Sequence, residues 1–185
     1  MRNLRWAFAA VVAAAVVAVE RPAPAMTDTD LTSTSWDTAY ASRLKLPGLG
    51  SDTSDTTGTV AFSSDGTFSA SEDDGGVPRT YTGTWRLKRN GKRLRLALDA
   101  DGRAALSDAI SDWLEEIAAD EGLTLSDLSV RLARVTMKQA RLPDTAGDFT
   151  TKISATGQAR GRLGRRRVSS ALIYNSNVSV TVSAP

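Results

Sequence analysis

The chain contains no histidine and no cysteine among its 185 residues. That removes the commonest general base, the commonest zinc ligand and all thiol chemistry, and with them histidine-based triads, ordinary transition-metal sites and disulfides. Carboxylates remain as acid/base candidates, as in glycosidases, where two of them flank the scissile bond. Here the acids gather in polar loops and on the wet side of a helix, where solvation accounts for them. The run Asp99-Ala100-Asp101-Gly102 begins like a calcium loop, but Arg103 and Ile110 occupy the fifth and twelfth ligand positions. It reads instead as a helix N-terminus following a strand. No metal or cofactor is expected, and a protein that is not an enzyme is the reading these residue types favour.

Two groups of residues could bind rather than react. Arg160, Arg162, Arg165, Arg166 and Arg167 stand close together, interrupted by Gly161, Leu163 and Gly164. The forked guanidinium suits phosphate, so this cluster is a candidate contact for anionic headgroups or another anionic partner in a cell envelope. The alternative is a solvated hairpin turn, paired with the acidic segments 52–55 and 72–74. The second group is Phe62, Phe68, Tyr81 and Trp85, all on the dry face of alternating strands. They could line a pocket for a small apolar ligand, or fill the core together with Trp113.

The elements that would position these groups follow from periodicity. A loose lead-in over residues 26–35 precedes a first strand at 36–46, and a glycine, serine and aspartate loop follows at 47–57. Val60 and Phe62 alternate up to a hairpin turn at Asp65-Gly66, and Phe68 and Ala70 return on the same face. An acidic loop at 72–76 leads to Tyr81, Gly83, Trp85 and Leu87, an Asn90-Gly91 turn, and Leu94, Leu96 and Leu98. The period then changes: Leu106, Ile110, Trp113, Leu114 and Ile117 predict an amphipathic helix over about 103–121, with Gly122 as its cap. Leu128, Val130 and Leu132 slip phase before Val135 and Met137, which predicts a β-bulge at Ala133 and Arg134. Residues 143–147 read as a turn, Phe149, Thr151, Ile153 and Ala155 as a strand, and 166–174 and 178–182 as two strands joined by Asn175-Ser176-Asn177. The expectation is a mainly β fold: an antiparallel up-and-down barrel or curled sheet of about eight or nine strands, with one helix inserted. A two-sheet sandwich is the alternative.

Residues 57–98 resemble the lipocalin-like (calycin) barrels of exported bacterial proteins. The likeness rests on the hairpin Phe62-Ser63-Ser64-Asp65-Gly66-Thr67-Phe68, the strand Tyr81-Thr82-Gly83-Thr84-Trp85 and the leucine strand from Leu94 to Leu98. It implies a barrel that carries a small apolar ligand in its interior. The chain departs from that pattern in lacking a glycine before Trp36 and in placing its helix mid-chain, so no binding residue is carried over from the family.

The N-terminal stretch bears on location. Arg2 and Arg5 precede an uncharged apolar run over residues 6–19, and Ala23-Pro24-Ala25 supplies small residues for cleavage, which is the profile of a signal peptide spanning 1–25. A secreted or periplasmic protein with one domain over 26–185 is expected, and nucleic acid is then not an expected partner. The whole chain has 23 basic and 21 acidic residues. Loss of Arg2, Arg5, Arg21 and Glu20 leaves 20 of each (23 less three, 21 less one), so the expected mature chain is neutral overall. Its charge is nevertheless polarised: nine acids face Arg43 and Lys45 over 26–75, whereas ten basic residues face Asp127, Asp144 and Asp148 from 122 onward.

Overall fold

The computed structural model describes residues 25–47, 50–73, 78–143 and 147–183. The proposed leader lies outside the described residues apart from Ala25, as do residues 144–146 of the turn expected at 143–147.

The first described element corrects the loose lead-in. Thr27 and Asp30 form a reciprocal capping box: Asp30 N donates to Thr27 Oγ1 at 3.2 Å, and Thr27 N donates to Asp30 Oδ2 at 2.7 Å. The box starts a short helix, α1 (Asp28–Ser33). Leu31 is fully buried beneath it, and its carbonyl accepts a hydrogen bond from Trp36 Nε1 at 3.0 Å. The polar composition suggested a loop; one buried leucine and the cap decide otherwise.

Nine strands follow: β1 (Trp36–Leu46), β2 (Gly50–Phe62), β3 (Thr67–Asp73), β4 (Arg79–Lys88), β5 (Arg93–Leu98), β6 (Leu125–Met137), β7 (Ala140–Arg141), β8 (Phe149–Leu163) and β9 (Arg166–Val182). The helix α2 (Ala100–Asp120) lies between β5 and β6, as its changed period predicts. Parts of two expected loops and the whole of a third prove to be strand, residues 48–49 and 74–76 lying outside the described residues. β2 begins at Gly50 and pairs with β1 from there to Val60, although its first half is polar and largely exposed on both faces. Backbone pairing, not side-chain alternation, makes it a strand. Glu72 and Asp73 extend β3. The Asn175-Ser176-Asn177 link is the middle of β9, because Leu172, Tyr174, Ser176, Val178 and Val180 keep one inward phase. The expected bulge is present, with a register shift between Leu132 and Arg134.

The sheet order is β6-β8-β9-β1-β2-β3-β4-β5-β7, antiparallel throughout. Its two ends, β6 and β7, are joined in the chain through Lys138 and Gln139 alone. The sheet therefore curls until its edges meet. β6 pairs with β8 as far as Met137 opposite Ile153, Lys138 N donates to Lys152 O at 2.8 Å, and Ala140 and Arg141 then pair with Leu94 and Arg93. Toward the opposite end β6 has no strand pairing with β5, and α2 packs against β4, β5 and β6. The result is a curled half-barrel with a helix across its gap.

Helix α2 is fixed at its start and along one side. Asp99 caps it by accepting from Gly102 N and from Thr82 Oγ1, both at 2.8 Å. Gly102 rests on β4 so closely that a Cβ there would stand 2.1 Å from Thr82 O. Leu106, Ile110 and Leu114 are buried, each contributing about 1.5–3 kcal/mol of apolar burial. Trp113 Nε1 donates to Asp52 Oδ2 at 2.8 Å, Arg79 pairs with Asp112 at 3.0 Å, and Ser107 Oγ donates to Val130 O at 2.7 Å. The helix is thus tied to β2, β4 and β6. Gly122, at φ 70°, ends it in the left-handed conformation glycine tolerates.

Candidate functional site

The interior is built in layers. At one end the aromatic rings pack edge to face: Trp36 lies 5.6 Å from Phe149 and 6.4 Å from Phe62, and Phe62 lies 5.9 Å from Trp85, between ring centroids. Phe62, Phe68, Tyr81 and Trp85 are all buried. The structure brings Phe62, Phe68 and Tyr81 to the wall of one interior cavity, while Trp85 is not part of that wall and donates from Nε1 to Ser63 O at 3.0 Å. The cavity measures about 40 Å³. That is room for a few waters at roughly 10–15 Å³ each, and far below the roughly 150 Å³ that takes a benzene ring. An apolar ligand of the expected kind needs this interior to widen.

Next to the aromatic layer lies a polar belt that sequence reasoning missed. On the inner face of β1, Thr38, Tyr40 and Ser42 occupy the alternate positions between Trp36 and Leu44. Ser42 Oγ donates to Ser176 Oγ at 3.0 Å and lies 3.1 Å from Tyr174 OH. The Glu72 carboxylate accepts from Tyr81 OH and, at 2.5 Å, from Thr56 Oγ1. Among the described residues, Thr38 Oγ1 and Tyr40 OH make no hydrogen bond of good geometry, although the two side chains interact with each other. A buried hydroxyl left without a partner costs about 1–3 kcal/mol. Burial pushes the Tyr40 phenol up to about 12, with contact to Thr38 offsetting part of the rise. Burial likewise raises Tyr81 and Tyr174. All three tyrosines are therefore neutral hydroxyls at ordinary pH, able to donate hydrogen bonds but poorly suited to act as bases.

The arginine cluster is more widely spread than a turn. β9 pairs with β1 only as far as Ile173 opposite Lys45, whereas its pairing with β8 runs on to Arg166 opposite Leu163. Residues 166–172 of β9, with the adjoining parts of β8 and β6, therefore extend past the end of β1 by roughly 20 Å. Directly paired residues share a face of the sheet. Arg162 pairs with Arg167, Arg160 with Ser129 and Ser169, Arg131 with Gln158, and Arg134 with Thr156. Arg131, Arg134, Arg160, Arg162 and Arg167 thus lie on one exposed face, while Arg166 falls on the other and Arg165 sits in the turn. The bulge at Ala133 is what turns Arg134 to this side. A groove of about 390 Å³ borders Arg160, Arg162 and Arg167. Arg162 Nε meets Asp127 Oδ2 at 3.3 Å, and Arg160 donates to Gln158 Oε1 at 3.0 Å. The pairing expected with segments 52–55 and 72–74 is replaced at Arg162 by this contact with Asp127, and Asp52 instead accepts from Trp113.

Among the described residues, no three histidine, cysteine or carboxylate side chains are grouped to hold a metal ion. No family model matches the chain. No curated protein matches it either.

Proposed function

We propose that this chain is an exported binding protein of lipocalin-like build that performs no chemistry of its own, and that its working surface is the arginine face of β6, β8 and β9. The partner is an anionic phospholipid surface of the cell envelope. The observation that carries this reading is the convergence of Arg131, Arg134, Arg160, Arg162 and Arg167, from three strands, on one exposed face. A two-dimensional array of guanidinium groups suits many phosphates side by side better than a single small anion. Near an anionic membrane each such residue is worth about 1 kcal/mol. The N-terminal basic-then-apolar segment supports export. The neutral buried tyrosines and the lack of histidine and cysteine support a role in binding.

The test is flotation of the purified chain with phosphatidylcholine vesicles, with and without added phosphatidylglycerol, across a range of salt. Binding that requires the anionic lipid and fades with salt is expected. Equal binding to neutral vesicles, or none to either, contradicts the proposal.

A further inference from the structure

Lys88 of β4 pairs with Arg93 of β5, and Arg93 pairs with Arg141 of β7, so three cations stand side by side across three strands. Arg86 pairs with Arg95 in the next row on the same side. Their chain neighbours Trp85, Leu94 and Ala140 are buried, which puts all five cations on the outer face. Like charges directly opposite each other destabilise a sheet. Among the described residues, none of the five forms a salt bridge with Asp or Glu. Arg93, in the middle of the row, is half-buried with a cation on either side. The hairpin end is also clamped in place. Leu142 N donates to Lys92 O at 3.2 Å, and Gly91 lies so close to the N-terminal segment that a Cβ would stand 2.1 Å from Met26 O. The fold thus holds together charges that repel one another, which marks a place fitted to an anion from outside the chain.

We propose that this row is a binding site for a short linear chain of linked phosphates, a ligand of the polyphosphate class. Two strand spacings separate Lys88 from Arg141, roughly 10 Å, a span that a chain of linked phosphates follows and a single phosphate does not. Neighbouring cations one strand apart are spaced more tightly than the headgroups of separate lipids, but they suit phosphates joined through a shared oxygen. The guanidinium forks of Arg93 and Arg141 pair with phosphoryl oxygens, and Lys88 adds a point charge. Beyond Arg86 and Arg95 the next pair on this face is Thr84 with Ala97, so no aromatic ring adjoins the rows to stack a base or a sugar. Charge and spacing carry the recognition. The site lies on other strands than the arginine array of β6, β8 and β9 and does not rest on the lipid reading, so either can fail without the other.

The test is calorimetric titration of the purified chain with tripolyphosphate and, in parallel, with orthophosphate, at low and high salt. Saturable binding of tripolyphosphate that weakens with salt is expected, at least about tenfold tighter than that of orthophosphate. The triple variant Lys88→Gln, Arg93→Gln and Arg141→Gln should lose most of this binding and melt no lower than the parent, since it relieves repulsion. The single variant Arg141→Gln, at an exposed position, should bind about fivefold more weakly. Replacing Arg160, Arg162 and Arg167 by glutamine should leave tripolyphosphate binding as in the parent. No saturable binding, orthophosphate bound as tightly, unchanged affinity in the row variants, or an equal loss when the arginine array is replaced would each overturn the proposal. Flotation of the triple row variant with phosphatidylglycerol-containing vesicles should match that of the parent. Its loss would assign the row to the lipid surface and overturn a separate site.

Discussion

Arg162 Nε stands 3.3 Å from Asp127 Oδ2 across the β6–β8 seam, at the place where the register slips between Ser126 and Ser129. Asp127 itself takes a left-handed backbone conformation, φ 52°. The irregularity aims its carboxylate at the arginine face, a common use of such distortions. Both side chains are about half exposed or more, 47% and 72%, so the pair adds only about 0–1 kcal/mol to stability. Its larger effect is to remove one positive charge's worth of attraction from the array. Asp127→Asn should keep the backbone conformation, which asparagine tolerates, and leave the melting temperature nearly unchanged. It should also tighten binding to anionic vesicles by up to about fivefold. Weaker binding in this variant would mean that Asp127 belongs to the contact itself.

Gly102→Ala tests the docking of α2. Alanine ordinarily favours a helix by about 1 kcal/mol over glycine. Here its Cβ would stand 2.1 Å from the Thr82 carbonyl oxygen, which is backbone and cannot swing aside. The clash should win, lowering stability by about 1–3 kcal/mol in denaturant unfolding. A more stable variant would show that the helix start is not seated on β4 as described.

Alkaline stability follows from the tyrosines. Burial raises the folded-state phenols of Tyr40, Tyr81 and Tyr174, with Tyr40 at about 12 against an unperturbed value of 10.0. A group whose folded value is raised adds stability that is fully present below its unfolded value and is lost as pH climbs through the folded one. The protein should therefore keep its stability to about pH 10 and lose it progressively between there and about pH 12. Tyrosinate absorbance should rise together with the loss of circular dichroism. Ionisation of all three near pH 10 with the fold intact would contradict their burial.

Export can be read from the N-terminus of the protein taken from the envelope or secreted fraction. Cleavage after Ala25 predicts a chain starting at Met26, whose side chain is 2% exposed within the core. A start at residue 1 in that fraction would remove the proposed leader.

Legibility in the sequence tracked side-chain alternation. β1, the Asp65-Gly66 hairpin, the β4–β5 pair, α2 and the bulge at Ala133 could all be read because each puts apolar residues on one side at a fixed period. The first half of β2 could not, because serine, threonine, aspartate and glycine give no face to read and the strand is held by hydrogen bonds to β1. The short helix α1 was readable in principle from the Thr27 and Asp30 spacing, but the surrounding threonines and aspartates read equally well as a loop. Asn175-Ser176-Asn177 carries turn-type residues, yet Ser176 lies on the inward phase and is fully buried against Ser42. The same blind spot hid the interior polar belt. Thr38, Tyr40 and Ser42 are polar residues at dry positions of an alternating strand, and that conflict was the available signal. Arg160 and Arg162 were legible as a cluster, but Arg131 and Arg134 join them only through strand pairing.

The most direct test of the arginine face is the triple variant Arg160→Gln, Arg162→Gln and Arg167→Gln, measured by flotation with phosphatidylglycerol-containing vesicles at fixed salt. All three side chains are exposed, so the variant should fold and melt as the parent does. At about 1 kcal/mol for each charge removed, its binding should be weaker on the order of 100-fold. A folded variant that still floats with the vesicles at the parent's affinity would contradict the assignment of this face.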